Sequence, residues 1–190
     1  MTTVAIPSWT PRGVLPPVNS VQATSAERSP YLVKLLNVVM RFATSPERSR
    51  ILKGFLEYRS ALHNMGIQQG FQWLDGSFAE HVEWLEQRAP KDIDVVSFVH
   101  IAANFSPSPA QADVLDHDHA KATFLVDSYF VELNLLPPDN LVRQSTYWYS
   151  IWSHRRNQDW KGYLQLDMSP TEDAEASKWL NAQMPGGSTP

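Results

Sequence analysis

Cysteine is absent from the 190-residue sequence, and so are long apolar runs. Without cysteine the chain has no disulfides, no zinc–thiolate site and no thiol nucleophile. No segment approaches the ~18 apolar residues that a spanning helix needs, so we expect no contact with a membrane. Residues 1–7 combine neither a basic segment nor a long apolar stretch, which predicts no signal peptide and a cytoplasmic location.

A large excess of either charge is also missing. Lys and Arg number 16 against 20 Asp and Glu, a formal net charge of −4, so we expect no strong general binding to nucleic acid. Aromatic residues are plentiful, with seven Trp and eight Phe, and they favour a packed interior over disorder. The length fits one domain with a sizeable core.

Prolines mark the N-terminal limit of this domain. Residues 1–30 contain Pro7, Pro11, Pro16, Pro17 and Pro30 but few periodic apolar residues. This composition predicts an extended Pro-rich arm, laid across the domain through Trp9, Val14 and Leu15. We place the domain at residues 31–184 and a flexible tail, rich in Gly and Pro, at residues 185–190.

Hydrophobic periodicity predicts an α+β domain. Short apolar runs typical of strands occur at residues 71–74, 92–99, 123–133 and 163–167. Helical spacing or capping signals predict helices at 31–42, from 46 to near Gly66, and at 78–87, 110–120 and 141–152, with a last helix starting at the capping box Ser169 to Glu172.

Two aspartates separated by one residue indicate a metal site. Asp92 and Asp94 lie in a predicted strand, where side chains alternate, so both project from one face. Two carboxylates about 7 Å apart at their Cα atoms repel unless a cation lies between them. Oxygen ligands with open positions suit Mg²⁺ or Mn²⁺, which take phosphate oxygens of a substrate as further ligands.

The segment before these aspartates has the features of a phosphate site. Gly76 permits a phosphate to approach the backbone, and Ser77 offers a hydroxyl where a predicted helix begins. A phosphate cradle beside metal-binding carboxylates predicts phosphoryl or nucleotidyl transfer. The alternative interpretation is a surface turn followed by the solvated end of a strand.

The order of these motifs resembles a known superfamily. A strand, Gly-Ser, a helix and Asp-x-Asp on the next strand are similar to the signature of the minimal polymerase-β-like nucleotidyltransferases. A wider set of residues resembles a bacterial family, often prophage-linked, with that predicted fold but no established activity: Gly13 to Pro17, Arg28 to Tyr31, Trp73 to Phe78, Asp92 to Val96 and Lys161-Gly162. The resemblance implies a single nucleotidyltransferase-like domain, with a mixed β-sheet flanked by α-helices. Residues 78 to 91 make a longer spacer than the smallest members have, which a longer helix accommodates.

The resemblance also implies a third carboxylate on a strand beside Asp92 and Asp94. Asp127 is the matching candidate, and Glu132, near the end of the same predicted strand, is the reserve. A charged residue in an apolar strand is costly when buried without a partner. The alternative is that Asp127 is merely solvated on an edge strand.

Basic residues follow the predicted aromatic helix. Arg155, Arg156 and Lys161 are candidates to neutralise the leaving pyrophosphate. The alternative is a solvated turn between helix and strand.

Three further patterns are interpreted as structural. Glu80, Glu83 and Glu86 have the spacing of a solvated helix face. His117-Asp118-His119 lacks the further ligands of a closed metal site. The aromatic run Tyr147, Trp148, Tyr149 and Trp152 could stack a base, but core packing is the favoured interpretation.

The predicted function is therefore an Mg²⁺- or Mn²⁺-dependent nucleotidyltransferase. It would move a nucleotide from a nucleoside triphosphate to a hydroxyl of a protein, an RNA or a small molecule, in a toxin–antitoxin or phage-defence setting. The alternative is a nucleotide-binding sensor or an antitoxin-type interaction protein without turnover.

Overall fold

A mixed five-stranded sheet organises the chain. The computed structural model describes residues 3–22 and 24–183, so the tail predicted at residues 185–190 lies outside the described residues. The strands are β1 (Tyr31–Leu32), β2 (Gly70–Asp75), β3 (Ile93–Val99), β4 (Val126–Glu132) and β5 (Leu164–Asp167), in the spatial order β1-β5-β2-β3-β4. β1 and β5 are parallel, as are β3 and β4, whereas β2 is antiparallel to both β5 and β3.

Helices flank this sheet, and together they confirm the predicted α+β class. The α-helices of the described chain are α1 (Leu35–Phe42), α2 (Pro46–Asn64), α3 (Val82–Leu85), α4 (Pro109–Leu115), α5 (His117–Phe124), α6 (Pro138–Trp152) and α7 (Asp173–Gln183). Short 3-10 helices occupy Ser77–Ala79 and Pro170–Glu172. None of the described helices is long and apolar enough to cross a membrane.

The two faces of the sheet bury different cores. The larger core combines one set of alternating strand residues with α1, α2 and α7. The smaller core is aromatic and combines the other set, including Trp73, Val96 and Phe98, with Trp148 and Trp152 of α6. Alternation along the strands places Asp75, Asp94 and Asp127 on this second face. The acidic residues therefore lie beyond the end of the aromatic core.

The aromatic run of α6 divides between interior and surface. Trp148 and Trp152 are buried, as core packing requires, but Tyr147 and Tyr149 are exposed. The prediction of core packing was therefore right for the tryptophans and wrong for the tyrosines. Along a helix only positions three or four apart share a face.

Several predicted boundaries were wrong. The first helix begins at Leu35, because Tyr31–Leu32 pair with β5. The helix expected at 110–120 is two helices, broken where the Asp116 side chain accepts a hydrogen bond from the backbone of His119 and caps α5. That second helix continues to Phe124, so the third predicted strand starts at Val126 rather than residue 123.

The described residues before β1 contain no helix or strand and lie along the domain. Val14 and Leu15 are buried. The carbonyl of Leu15 accepts a hydrogen bond from the backbone N–H of Gly162, and the Trp9 indole donates to the carbonyl of Ala79. These contacts tie the segment to the stretch that follows β2 and to the stretch that precedes β5.

Candidate active site

Acidic residues of three neighbouring strands meet at one end of the sheet. Asp94 of β3 lies opposite Asp127 of β4 and also opposite Asp75 of β2. Adjacent strands are about 4.8 Å apart, so these side chains lie side by side. Asp92 directly precedes β3 and shares the face of Asp94. The structure thus brings the three predicted carboxylates together and adds Asp75, which the sequence analysis missed.

The reserve candidate lies elsewhere. Glu132 is opposite Val99 at the far end of β4, and strand alternation turns it to the other face from Asp127. β4 is an edge strand, as the alternative interpretation supposed. Asp127 is nevertheless not simply solvated, since its side chain is 14% exposed and contacts both Lys121 and His117.

A cleft of about 830 Å³ contains the acidic cluster. Apart from the reserve Glu132, every site residue predicted from the sequence lines it: Gly76, Ser77, Asp92, Asp94, Asp127, Arg155, Arg156 and Lys161. Ile151 and Trp152, at the end of α6, give it an apolar wall. The lining contains as many basic as acidic side chains, so it offers no net positive charge to a polyphosphate.

Burial and mutual repulsion raise the pKa values of two carboxylates in the cluster. Burial raises the pKa of Asp75 to about 7, although Lys161 opposes the shift. Burial also raises the pKa of Asp94 to about 6, and the charges of Asp127 and Asp92 add to that effect. The cluster therefore retains protons at a pH where isolated aspartates are ionised.

One of the cations in the cluster comes from α5. The Lys121 ammonium lies 3.1 Å from Asp92 Oδ2 and also forms a short hydrogen bond with Asp127 Oδ2. This hydrogen bond, followed by that to Asp92, raises the pKa of Lys121. Sequence reasoning missed Lys121, because its distance from Asp92 depends on how α5 packs beside β4.

A second lysine is enclosed at the floor of the cleft. The Lys161 ammonium lies 2.9 Å from Asp75 Oδ2 and 3.0 Å from Glu80 Oε1. Burial opposes its charge, but Asp75 and Glu80 outweigh that effect and raise the pKa of Lys161. Its charge is therefore already compensated by two carboxylates.

Of the three glutamates between β2 and β3 only Glu86 is exposed. Glu80 is buried and bonded to Lys161 and Arg155, and Glu83 pairs with the buried Arg48. The solvated-face interpretation was wrong for Glu80 and Glu83 because the predicted helix over 78–87 is interrupted: a 3-10 helix ends at Ala79 and α3 begins only at Val82. The turn between them directs Glu80 inward.

The backbone at Gly76 is shaped around Asp94. Gly76 has φ +77°, and a Cβ atom placed on it would overlap the carboxylate of Asp94. Its lack of a side chain therefore makes room for a member of the acidic cluster. Ser77 follows at the start of the three-residue 3-10 helix, which is too short to supply the helix dipole that the sequence suggested.

The arginines after α6 differ in their partners. Arg155 is bonded to Glu80 at 2.9 Å and to Glu86 at 2.8 Å. Arg156 is exposed and has no hydrogen bond or ion pair to the rest of the described chain. Arg156 is therefore available to an anionic ligand, whereas Arg155 braces the wall of the cleft.

His117 also reaches the cluster. Its Nδ1 lies 3.2 Å from the carbonyl oxygen of Ser128 and 3.5 Å from Asp127 Oδ1. The sequence placed this histidine on a water-facing helix end, and its side chain is indeed 40% exposed. Its closeness to Asp127 follows from the short connection between α5 and β4, which no local sequence pattern predicts.

The cluster has the donor chemistry of a site for a hard divalent cation. Its ligands are carboxylate oxygens, and the Oδ1 atoms of Asp75 and Asp127 are buried without a hydrogen-bond partner in the described chain. No three His, Cys, Asp or Glu side chains among residues 3–22 and 24–183 are yet arranged to hold a metal ion. Lys121 lies between Asp92 and Asp127, where those oxygens would otherwise converge on a cation.

Comparison with known proteins gives one family. Searches of curated proteins and of solved structures produce no match. The model of a family of unknown function, DUF6932, matches residues 7–167, which include most of the N-terminal segment, all five strands and every residue of the acidic cluster. The chain belongs to this family of unknown function, DUF6932.

Proposed function

We propose that the protein is an Mg²⁺-dependent nucleotidyltransferase. The observation that supports this most is the convergence of Asp92, Asp94 and Asp127 beside the Gly76–Ser77 turn in one cleft. A third carboxylate on the strand next to Asp-x-Asp, together with a preceding Gly-Ser turn, is what the resemblance to polymerase-β-like nucleotidyltransferases implies.

The charges of the cleft favour a nucleotide accompanied by a metal. Basic and acidic side chains balance in the lining, so a free triphosphate would gain little from entering. Asp92 and Asp94 would hold the Mg²⁺ or Mn²⁺ that accompanies the phosphates, and Asp127 would hold a second ion. When bound, these ions neutralise phosphate charge and favour ionisation of a nearby hydroxyl. Ser77 and Arg156 would contact the phosphates, because both line the cleft and Arg156 has no other partner in the described chain.

The reaction is a displacement at phosphorus. An acceptor hydroxyl oxygen bonds to the α-phosphorus, the bond from that phosphorus to the α–β bridging oxygen breaks, and pyrophosphate leaves with the bridging oxygen. Asp127 accepts the hydroxyl proton. Lys161 and Arg155 keep Asp75, Glu80 and the cleft wall in place, a positioning role that their existing ion pairs support.

The test uses label on the α-phosphate of each nucleoside triphosphate, with Mg²⁺ and cell lysate, and follows its transfer to protein, RNA and small molecules. Asp127→Asn keeps the size of the side chain but removes a proton acceptor, so we expect transfer to fall by at least ~100-fold with nucleotide affinity nearly unchanged. Glu132→Gln is the control on the same strand, and we expect it to retain transfer because Glu132 lies outside the cluster.

A second function is favoured by one observation. Lys121 pairs with Asp92 and Asp127, where a metal ion would bind. Such an ion pair suits a protein that binds nucleotide without turning it over. Tight nucleotide binding by the wild type, with no transferred label on any acceptor, would support this sensor or interaction role. Loss of transfer in Glu132→Gln but not in Asp127→Asn would contradict our assignment of the third carboxylate.

A further inference from the structure

The cation that joins Asp92 to Asp127 belongs to a side chain with access to solvent. Lys121 stands in the last turn of α5, and its side chain is 43% exposed although its ammonium contacts both carboxylates. A lysine carries its charge on a flexible four-carbon stem. The ammonium can therefore return to water through rotation of its own side chain, without movement of α5.

Lys161 provides the contrast within the same cleft. Its side chain is only 7% exposed, and Asp75 and Glu80, which enclose it, are equally buried. Withdrawing Lys161 would leave the buried Asp75 carboxylate without an ion-pair partner in the described chain, and Glu80 with Arg155 alone, which is strongly unfavourable. Lys161 is therefore a permanent part of the cleft floor, whereas Lys121 is held only by the groups that it neutralises.

The compensation by Lys121 is incomplete. A single ammonium faces Asp92 and Asp127, and the neighbouring Asp94 has no hydrogen bond or ion pair within the described part of the chain. The buried Oδ1 atom of Asp127 also has no hydrogen-bond partner there, and the nearest ring nitrogen, His117 Nδ1, lies 3.5 Å away. A divalent cation would supply more charge to the same oxygens than the ammonium does, and it would compete with Lys121 for them.

We propose that Lys121 is an exchangeable counter-ion of the metal site: it bridges Asp92 and Asp127 while no divalent cation is bound and leaves for solvent when one enters. The proposal rests on the proposed function and adds a regulatory consequence. Competition from Lys121 weakens the binding of a divalent cation alone, so the cation enters effectively only with a nucleotide, whose phosphates provide further ligands.

The test compares Lys121→Met with Lys91→Met. Lys91 lines the same cleft but has no ion pair to the rest of the described chain, so both variants lose one positive charge and only one loses the competitor. We expect Mn²⁺ alone, titrated by electron paramagnetic resonance, to bind Lys121→Met roughly tenfold more tightly than wild type, the effect of removing a charged hydrogen bond from its competitor. Lys91→Met should stay within about twofold, since long-range charge effects are screened.

Thermal unfolding gives a second measurement. Lys121→Met should melt below wild type without metal, because Asp92, Asp94 and Asp127 then repel one another, and Mn²⁺ should restore its melting temperature. Lys121→Gln, which keeps a neutral polar end, should behave in the same way and guards against a packing effect of methionine.

The outcomes separate the two proposals. Suppose that wild type binds Mn²⁺ together with nucleotide, but Lys121→Met binds Mn²⁺ no more tightly than Lys91→Met does. That result overturns the exchangeable counter-ion and leaves the proposed function standing. If neither wild type nor Lys121→Met binds Mn²⁺, with or without a nucleoside triphosphate, Lys121 is a fixed ion-pair partner, and the proposed metal-dependent function fails with it.

Discussion

Gly76 and Gly66 differ in one respect that bears on the site. Both have a positive φ, +77° and +86°, and both therefore resist a side chain. Around Gly66 nothing lies within 4 Å of an added Cβ, whereas at Gly76 that atom would overlap the Asp94 carboxylate. The pair separates the cost of backbone strain from the cost of displacing a cluster residue.

We expect Gly76→Ala to lower the free energy of unfolding by about 2 kcal/mol more than Gly66→Ala, because each has the strain of a positive φ and only the first adds a steric overlap. Urea unfolding measures this difference. Affinity for nucleotide with Mg²⁺, measured by calorimetry, should fall in Gly76→Ala and stay unchanged in Gly66→Ala. Equal losses of stability, with equal affinities, would show that Asp94 moves aside at no cost.

At the scale of elements, Arg48 of α2 determines the path of the chain after β2. Its guanidinium is fully buried and donates to the carbonyls of Phe78 and Glu80, each at 2.6 Å. It also pairs with Glu83. Those carbonyls would accept hydrogen bonds within a continuous helix, so Arg48 stabilises the interrupted segment that carries Ser77 and Glu80.

Arg48→Met should lower the free energy of unfolding by roughly 3 to 5 kcal/mol, since it removes a buried guanidinium that bonds two backbone carbonyls and the Glu83 carboxylate. Arg50→Met, on the exposed side of the same helix, is the control and should change stability by less than ~0.5 kcal/mol. Chemical unfolding of both variants provides the comparison. If the two variants are equally stable, the interrupted segment does not depend on Arg48.

Local sequence patterns predicted those strands and helices whose formation depends mainly on neighbouring residues. The apolar runs before Gly76 and around Asp94 correspond to β2 and β3. The helix predicted from residue 46 begins at Pro46, where the Ser45 side chain caps it by accepting a hydrogen bond from the backbone of Arg48. The interruption after Ala79 was not predictable in this way, because it depends on Arg48 and on Gly13, whose carbonyl accepts from the N–H of His81.

The site shows the same division. Asp92 and Asp94 are paired by alternation within one strand, so the sequence indicated them directly. Asp75 had a signal that was overlooked: it ends the strand before Gly76, next to the strand of Asp94. Lys121 and the pairing of Lys161 with Glu80 had none, because they require the positions of α5 and of the segment before β5.

At the scale of the whole molecule, two cores outside the cleft stabilise the fold. The larger core packs one face of the sheet against α1, α2 and α7, and the aromatic core packs α6 on the other. The acidic ends of β2, β3 and β4 extend past the aromatic core into the cleft. The fold can therefore hold carboxylates that repel one another, because burial of apolar side chains in the two cores offsets the unfavourable free energy of that repulsion.

That cost depends on pH. The pKa values of Asp75 and Asp94 are raised in the folded state, to about 7 and about 6, from 3.8. Between the unfolded value of 3.8 and these raised values, the folded chain holds protons that the unfolded chain has released, so the free energy of unfolding falls as pH rises. The contribution is present below about pH 4 and is lost by about pH 7.

We expect Asp94→Asn to remove part of this dependence, because an amide does not ionise. At pH 7 the variant should be more stable than wild type, by on the order of 2 kcal/mol. The advantage should largely disappear near pH 4, where the Asp94 carboxyl is protonated in the folded state and partly protonated in the unfolded state. Asp113→Asn on the exposed surface of α4 is the control for loss of one negative charge. Urea unfolding of the three proteins from pH 4 to pH 7, without divalent cations, measures the effect. An advantage of Asp94→Asn that is constant across this range, or that is shared by Asp113→Asn, would show that the repulsion within the cluster is relieved in some way other than protonation of Asp94.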